Sequence, residues 1–241
     1  MTMIIPRWNA PKNVKAFAST RVGGFSKNEY LGLNLGTHVG DDLATVQKNR
    51  EWLQRDSMMP SAPTWLNQTH STTVIEVNSI SSEVLDADGA FTKRAGIVCS
   101  AMTADCLPVL LTNTQGTQVA AVHAGWRGLA DGIVENAVQM FDGEVIAWLG
   151  PAIGSGAFEV GEDVLNAFVS FDGNAIHAFE QKTQPSKWLA NMSQLAMQRL
   201  DKLGVSKVTD SNLCTFSDPS KFYSYRRDGV TGRQASFIWM E

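Results

Sequence analysis

Apolar and polar positions alternate in short blocks along the whole chain, with two periods interleaved. Val14–Thr20 and Thr73–Val77 show the period of two expected of half-buried strands. Ile97–Ala101, Leu107–Leu111, Val119–Val122 and Val145–Leu149 are apolar runs bounded by polar turns, which predicts strands buried on both faces. Asp42–Arg55 instead sets Leu43, Val46 and Leu53 at helical spacing. Leu129–Phe141, Glu162–Phe168 and Leu189–Leu203 are also predicted helices, the last stopped by Gly204. Gly23-Gly24 marks a turn, and Val205–Thr209, Phe222–Tyr225 and Ala235–Trp239 are predicted as closing strands. The mixture has α/β or α+β character. With no internal repeat and no Pro/Ser-rich hinge, it predicts one domain over residues 1–241.

Composition removes several function classes. Apolar residues make up 44% and charged residues 18% of 241 positions, an ordinary globular balance. A formal charge of −4 and a pI near 5.6 leave no basic stripe for nucleic acid. The longest mostly apolar stretch, Ile97–Leu111, is interrupted by Asp105 and Pro108, so no membrane span is expected. Met1–Pro11 lacks a signal-type apolar core. Cys99, Cys106 and Cys214 form no C-x-x-C pair, and an odd thiol is left by any disulfide scheme. Reduced thiols in the cytoplasm are the expectation, with a small molecule as partner.

Three polar breaks carry candidate chemistry. His70 lies between an apolar run and the next strand, Cys106 interrupts two apolar runs, and His123 ends a strand before the glycine turn Ala124-Gly125-Trp126-Arg127-Gly128. Two imidazoles and a thiolate are a sound ligand set for a catalytic zinc, with the fourth position left open. The same residues also admit a structural reading: a strand-end histidine is often simply hydrogen-bonded, and free cysteine often packs as a small apolar residue. Asp105, beside Cys106, is a candidate orienting carboxylate or general base. Arg50, on the apolar face of its helix, must be paired or line a polar pocket. Arg21 and Arg127 occupy glycine-containing turns and suit phosphate. His38, between glycines, is the nearer of the two remaining histidines, the other being His177.

The chain resembles the bacterial laccase-domain or polyphenol oxidase family, which is similar to the animal laccase-domain-containing protein. The matching stretches are Ser19-Thr20-Arg21 with Gly23-Gly24, Asn34-Leu35-Gly36 with His38-Val39-Gly40-Asp41, Asn49-Arg50, and Gln68 with His70. Thr103-Ala104-Asp105-Cys106-Leu107-Pro108, His123 to Gly128 and Trp148 to Gly154 follow. Phe158 to Gly161, Ser224 to Asp228 and Thr231-Gly232-Arg233 complete the set. The resemblance implies a layered α/β/β/α domain similar to that of the deamidating cytotoxic necrotizing factors. It also implies one Zn2+ held by His70, Cys106 and His123, and makes Arg21, Arg50, Arg127 and Asn34 candidates for substrate binding.

The implied activities are phosphorolysis of adenosine, inosine and 5′-methylthioadenosine, with hydrolytic deamination of adenosine. The alternative is amide hydrolysis that edits muropeptide precursors, in which either Cys106 attacks with His70 or His123 as base, or the zinc site hydrolyses the amide. A non-catalytic metal module is the third class. Two departures stand out: the usual Gln-Val-His-Gly reads Gln68-Thr69-His70-Ser71, and Asn191 stands where relatives commonly carry aspartate. The laccase label itself fails a count. A blue-copper centre takes two histidines and a cysteine, a multicopper oxidase adds a histidine-rich cluster, and this chain has four histidines. Copper is therefore expected only as an opportunistic substitute at the single site.

Overall fold

A computed structural model of the protein describes residues 2–81 and 83–241. Two sheets form its centre. One orders Met3–Ile4, Val14–Ser19, Gln234–Met240, Val98–Thr103 and Pro63–Thr64. The other orders Lys207–Asp210, Val145–Leu149, Leu107–Asn113, Val119–Ala124, Gly89–Thr92 and Val74–Glu76. Pairing is mostly antiparallel, with parallel pairs at the outer strands of both sheets.

Strand periodicity assigns the layers. In Leu107–Asn113, Leu107, Val109 and Leu111 face helices, while Leu110 faces the opposing sheet. In Val119–Ala124 the split is Ala120, Val122 and Ala124 against Val119 and Ala121. Every residue of both strands is buried, because each face is covered. The helix side is built by α2 (Trp126–Asp131), α3 (Ile133–Val138), α4 (Glu162–Val169) and α5 (Met192–Lys202), packed through Leu129, Ile133, Leu165 and Leu195. On the far side, Phe17, Val98 and Phe237 meet Leu53 of α1 (Leu43–Asp56). The order is helix, sheet, sheet, helix, a mixed α/β single domain. Among the described residues no helix is long and apolar enough to cross a membrane.

Several predicted boundaries move for identifiable reasons. Leu129–Phe141 is not one helix, because Gly132 adopts φ 101° between α2 and α3. Leu189–Leu203 begins as the strand Lys187–Ala190, and Asn191 then caps α5 by accepting the Gln194 N–H at 3.0 Å. Asparagine and aspartate both serve as N-caps, so the departure at Asn191 keeps this function.

Phe222–Tyr225 is not a strand. The Gln234 side chain takes the place of a partner strand by bonding both the N–H and the C=O of Tyr223. A short helix, α6 (Tyr225–Asp228), follows under the Ser224 cap. The strand Gly89–Thr92 had no signal, since Asp88-Gly89 reads as a turn.

Candidate metal centre

His70 is placed from both sides of its loop. The Gln68 amide donates to Met102 O and accepts from Met102 N, both at 2.8 Å, pinning the loop to the end of a sheet strand. The next three backbone N–H groups, of Thr69, His70 and Ser71, all donate to the carboxylate of Asp88, at 3.1, 3.0 and 2.7 Å. The Ser71 hydroxyl adds a fourth bond at 2.7 Å, one that the family's usual glycine would not make. Wrapping three amides around one carboxylate puts His70 at φ 61°, a left-handed conformation rare for a non-glycine residue.

The same carboxylate fixes the second histidine. His123 Nδ1 lies 2.8 Å from Asp88 Oδ1, so its Nε2 is turned to the opposite side, toward Cys106. Asp88 is buried. Burial alone would raise its pKa, but the hydrogen bonds from His123 and from the Ser71 hydroxyl and N–H hold it at about 2. It is an ionised anchor for two of the three candidate ligands.

Cys106 is placed by Asp105. That residue takes φ 95°, and its carboxylate accepts from Thr215 Oγ1, Ser224 Oγ and Arg226 N at 2.6, 2.9 and 2.7 Å. Its carbonyl accepts from Ile153 N at 2.9 Å. These contacts hold the backbone that presents the thiol and the start of α6. The carboxylate that orients a histidine is Asp88, not Asp105.

The donor atoms of His70, Cys106 and His123 lie within 4.8 Å of one another, with Cys106 Sγ 3.7 Å from His70 Nε2. Zinc–ligand bonds of about 2.0–2.3 Å in a tetrahedron require donors roughly 3.3–3.6 Å apart, so the set fits with small adjustments. Gly125 leaves room for them. A Cβ there would stand 2.5 Å from His70 Cδ2 and 3.3 Å from Cys106 Sγ. Gly125→Ala is therefore expected to displace His70 and lower turnover by about a hundredfold, with a matching loss of metal content by elemental analysis. Full metal content in that variant would remove the steric argument.

Without a metal, the thiol and imidazole share a proton unequally. Burial disfavours both charges, but each stabilises the other, so Cys106 is drawn down to about 6 and His123 up to about 9. Alkylation of Cys106 in metal-stripped protein should thus rise with pH through about 6 and level off near neutrality. A rise continuing towards 9, as for an ordinary thiol, would contradict the ion pair.

The three ligands open on a cavity of about 420 Å³ that is also lined by His38, Gln68, Met102, Thr103, Tyr225 and Arg233. None of the four substrate candidates lines it. Arg21 bonds Leu31 O and Pro219 O and stacks on Tyr223. Arg50 gives Nε and Nη2 to Leu35 O and lies 3.9 Å over Trp65, facing a separate hollow of about 210 Å³. Its charge is met by a carbonyl and an indole rather than by groups of the larger cavity. Arg127 is exposed, over Trp126. Asn34 is buried and accepts Arg233 N and Gly36 N on its side-chain oxygen, which makes it a support for the wall. Tyr225, Arg233 and His38 come instead from stretches that carry the family resemblance. Asp88 had no motif to announce it.

The profile of the family described as "Multi-copper polyphenol oxidoreductase laccase" matches residues 15–241. A Haemophilus influenzae protein named "Purine nucleoside phosphorylase" is 49% identical, each chain covering 100% of the other. "Purine nucleoside phosphorylase YfiH" of Escherichia coli K12 is 46% identical over 99% of this chain and 98% of that one. Among solved structures, protein NMB0706 of Neisseria meningitidis superposes with a TM-score of 0.95 at 43% identity, over the whole of both chains. YlmD of Geobacillus stearothermophilus gives 0.89 at 27% identity, again over both whole chains.

Proposed function

Since the chain belongs to the laccase-like polyphenol oxidoreductase family whose relatives carry purine nucleoside phosphorylase names, we propose that it is a zinc-dependent purine nucleoside enzyme of the cytoplasm. It would cleave adenosine, inosine and 5′-methylthioadenosine with phosphate, and hydrolytically deaminate adenosine as a second reaction. The observation that carries this reading is the Asp88-anchored His70, Cys106 and His123 set opening on a cavity of nucleoside size. With four histidines in the chain, three of them at this one cavity and His177 outside its lining, the residues do not build a multicopper centre. Copper is at most a substitute at the single site.

Bound zinc supplies Lewis-acid polarisation of oxygen near neutral pH. The chain's own groups supply position. Asp88 keeps the His123 Nε2 lone pair turned to the centre, Gln68 fixes the loop of His70, and Asp105 holds the backbone of Cys106. In phosphorolysis a phosphate oxygen bonds to ribose C1′ while the C1′–N9 bond breaks. The bonding pair stays on N9, which takes a proton.

Adenosine with phosphate is expected to give adenine and ribose 1-phosphate, with some inosine. Phosphate should accelerate base release but not deamination, and His123→Ala should abolish both, as followed by chromatography of the products. The second reading is a cysteine- or zinc-dependent amidase acting on muropeptide precursors, favoured by the thiolate–imidazolium pair of Cys106 and His123. Release of an amino acid from such a precursor, with neither nucleoside reaction seen, would transfer the function to it.

A further inference from the structure

Among the described residues Arg233 is the one arginine that lines the cavity, where it feels the charges of Cys106 and Asp105 without forming an ion pair with either. The residue is half-buried, and among the described residues it makes no salt bridge. Its Nη1 donates to Thr231 O and Gly232 O at 3.1 and 3.0 Å, while Nε and Nη2 have no partner among the described residues. Nε and Nη2 are not sealed from solvent, so the half-buried guanidinium keeps an accessible edge of two adjacent N–H groups, which suits an anion with two oxygens.

The surroundings fix this orientation. Arg233 N is bonded to Asn34 Oδ1 at 2.9 Å. A Cβ on Gly36 would fall 2.8 Å from Arg233 Cγ, so that glycine makes room for the stem. The carboxylates nearby are already committed, Asp105 to Thr215, Ser224 and Arg226 N, and Asp88 to the ligand loop and His123. His38 lines the same cavity. Burial, then the charges of Arg233, Arg50 and His123, disfavour its protonation, so His38 sits within reach of the same cationic groups.

We propose that Arg233, with His38 beside it, forms the oxyanion subsite of the cavity and binds the inorganic phosphate that attacks the nucleoside. The inference rests on the phosphorolysis reading for the source of the anion. The recognition chemistry, a planar fork on two oxygens, would serve a peptide carboxylate equally. Asn34 and Gly36 are then positioning residues, which explains why Asn34 sits in a matching motif without touching the cavity.

The test is calorimetric titration of the zinc-loaded protein with inorganic phosphate, alongside steady-state kinetics. Arg233→Gln should weaken phosphate binding by at least about tenfold, the loss expected for a charge-assisted bidentate pair. Its KM for phosphate should rise equally, while KM for adenosine stays within about twofold and zinc content is unchanged. Arg233→Lys, which keeps the charge but not the fork, should recover part of the binding and covers the case in which the glutamine variant does not fold. Phosphate binding that is undetectable in the wild type, or unchanged in folded Arg233→Gln, overturns the subsite. Phosphate bound through Arg233 with no base released from any purine nucleoside keeps the subsite and overturns phosphorolysis. Competition by a muropeptide carboxylate would then identify the other source.

Discussion

Protein purified without chelator is expected to carry close to one zinc per chain, and Cys106→Ala to carry almost none and to lose nucleoside phosphorolysis by about a thousandfold or more. The size of the effect follows from the geometry. His70 is exposed on its loop, and its ring nitrogen faces the sulfur at 3.7 Å, while His123 alone is buried. Removing the thiolate leaves two imidazoles, one of them solvent-facing, and removes the one anionic ligand of the set. Elemental analysis of both proteins, with product analysis on the same preparations, checks it. A wild type free of transition metal, with Cys106 alkylated rapidly near neutral pH, would reject the zinc centre in favour of a cysteine hydrolase. Zinc retained in Cys106→Ala would show that the two histidines and another group suffice.

The buried strands were legible because apolar runs survive burial on both faces. Leu107–Leu111 and Val119–Val122 are read directly from residue type, and the structure extends them only to Asn113 and Ala124. The three candidate ligands were legible as donor types at element ends, and the fold brings their donor atoms together. What the sequence could not convey is which polar side chain turns inward. Asp88 is a single aspartate before a glycine, indistinguishable from a turn residue until strand pairing brings it beside Thr69, His70, Ser71 and His123.

The candidate arginines lie away from this cavity for the related reason that a guanidinium can be satisfied in several ways. Arg50 does lie on the inner side of its helix, next to buried Asn49 and Leu53, but it finds a carbonyl and Trp65 there instead of a ligand pocket. Arg233 carries no periodic signal and is found only when its neighbours leave three of its five N–H donors free. Residues that pack announce themselves by pattern, whereas residues that recognise a ligand are identified by what they lack.

Asp88→Asn is expected to be the most damaging substitution that leaves all three ligands in place. The carboxylate accepts from three backbone N–H groups, the Ser71 hydroxyl and His123 Nδ1, all without solvent. Asparagine offers one oxygen and one NH2, so at least one buried donor would face another donor. It also removes the charge that favours the Nδ1–H tautomer of His123. Loss of such a carboxylate–histidine–metal support costs about 10–100-fold in metal affinity. Breaking a buried, hydrogen-bonded ionic contact costs about 3 kcal/mol of stability, which in a chain of this length lowers Tm by roughly 6–12 °C.

The pH dependence gives an independent readout of the same group. Asp88 is held at about 2 against an ordinary carboxylate near 4, so its stabilisation is complete above the unfolded value and is lost as pH falls through the folded one. Between pH 4 and pH 2 the wild type should lose the corresponding stability, and Asp88→Asn should lack that component. Competition titration for zinc near neutral pH, and thermal melting of the metal-free protein between pH 4 and pH 2, measure the two effects. Wild-type zinc affinity in folded Asp88→Asn would mean that Gln68 and Gly125 alone hold the histidines in register, and that the carboxylate serves only to satisfy the loop.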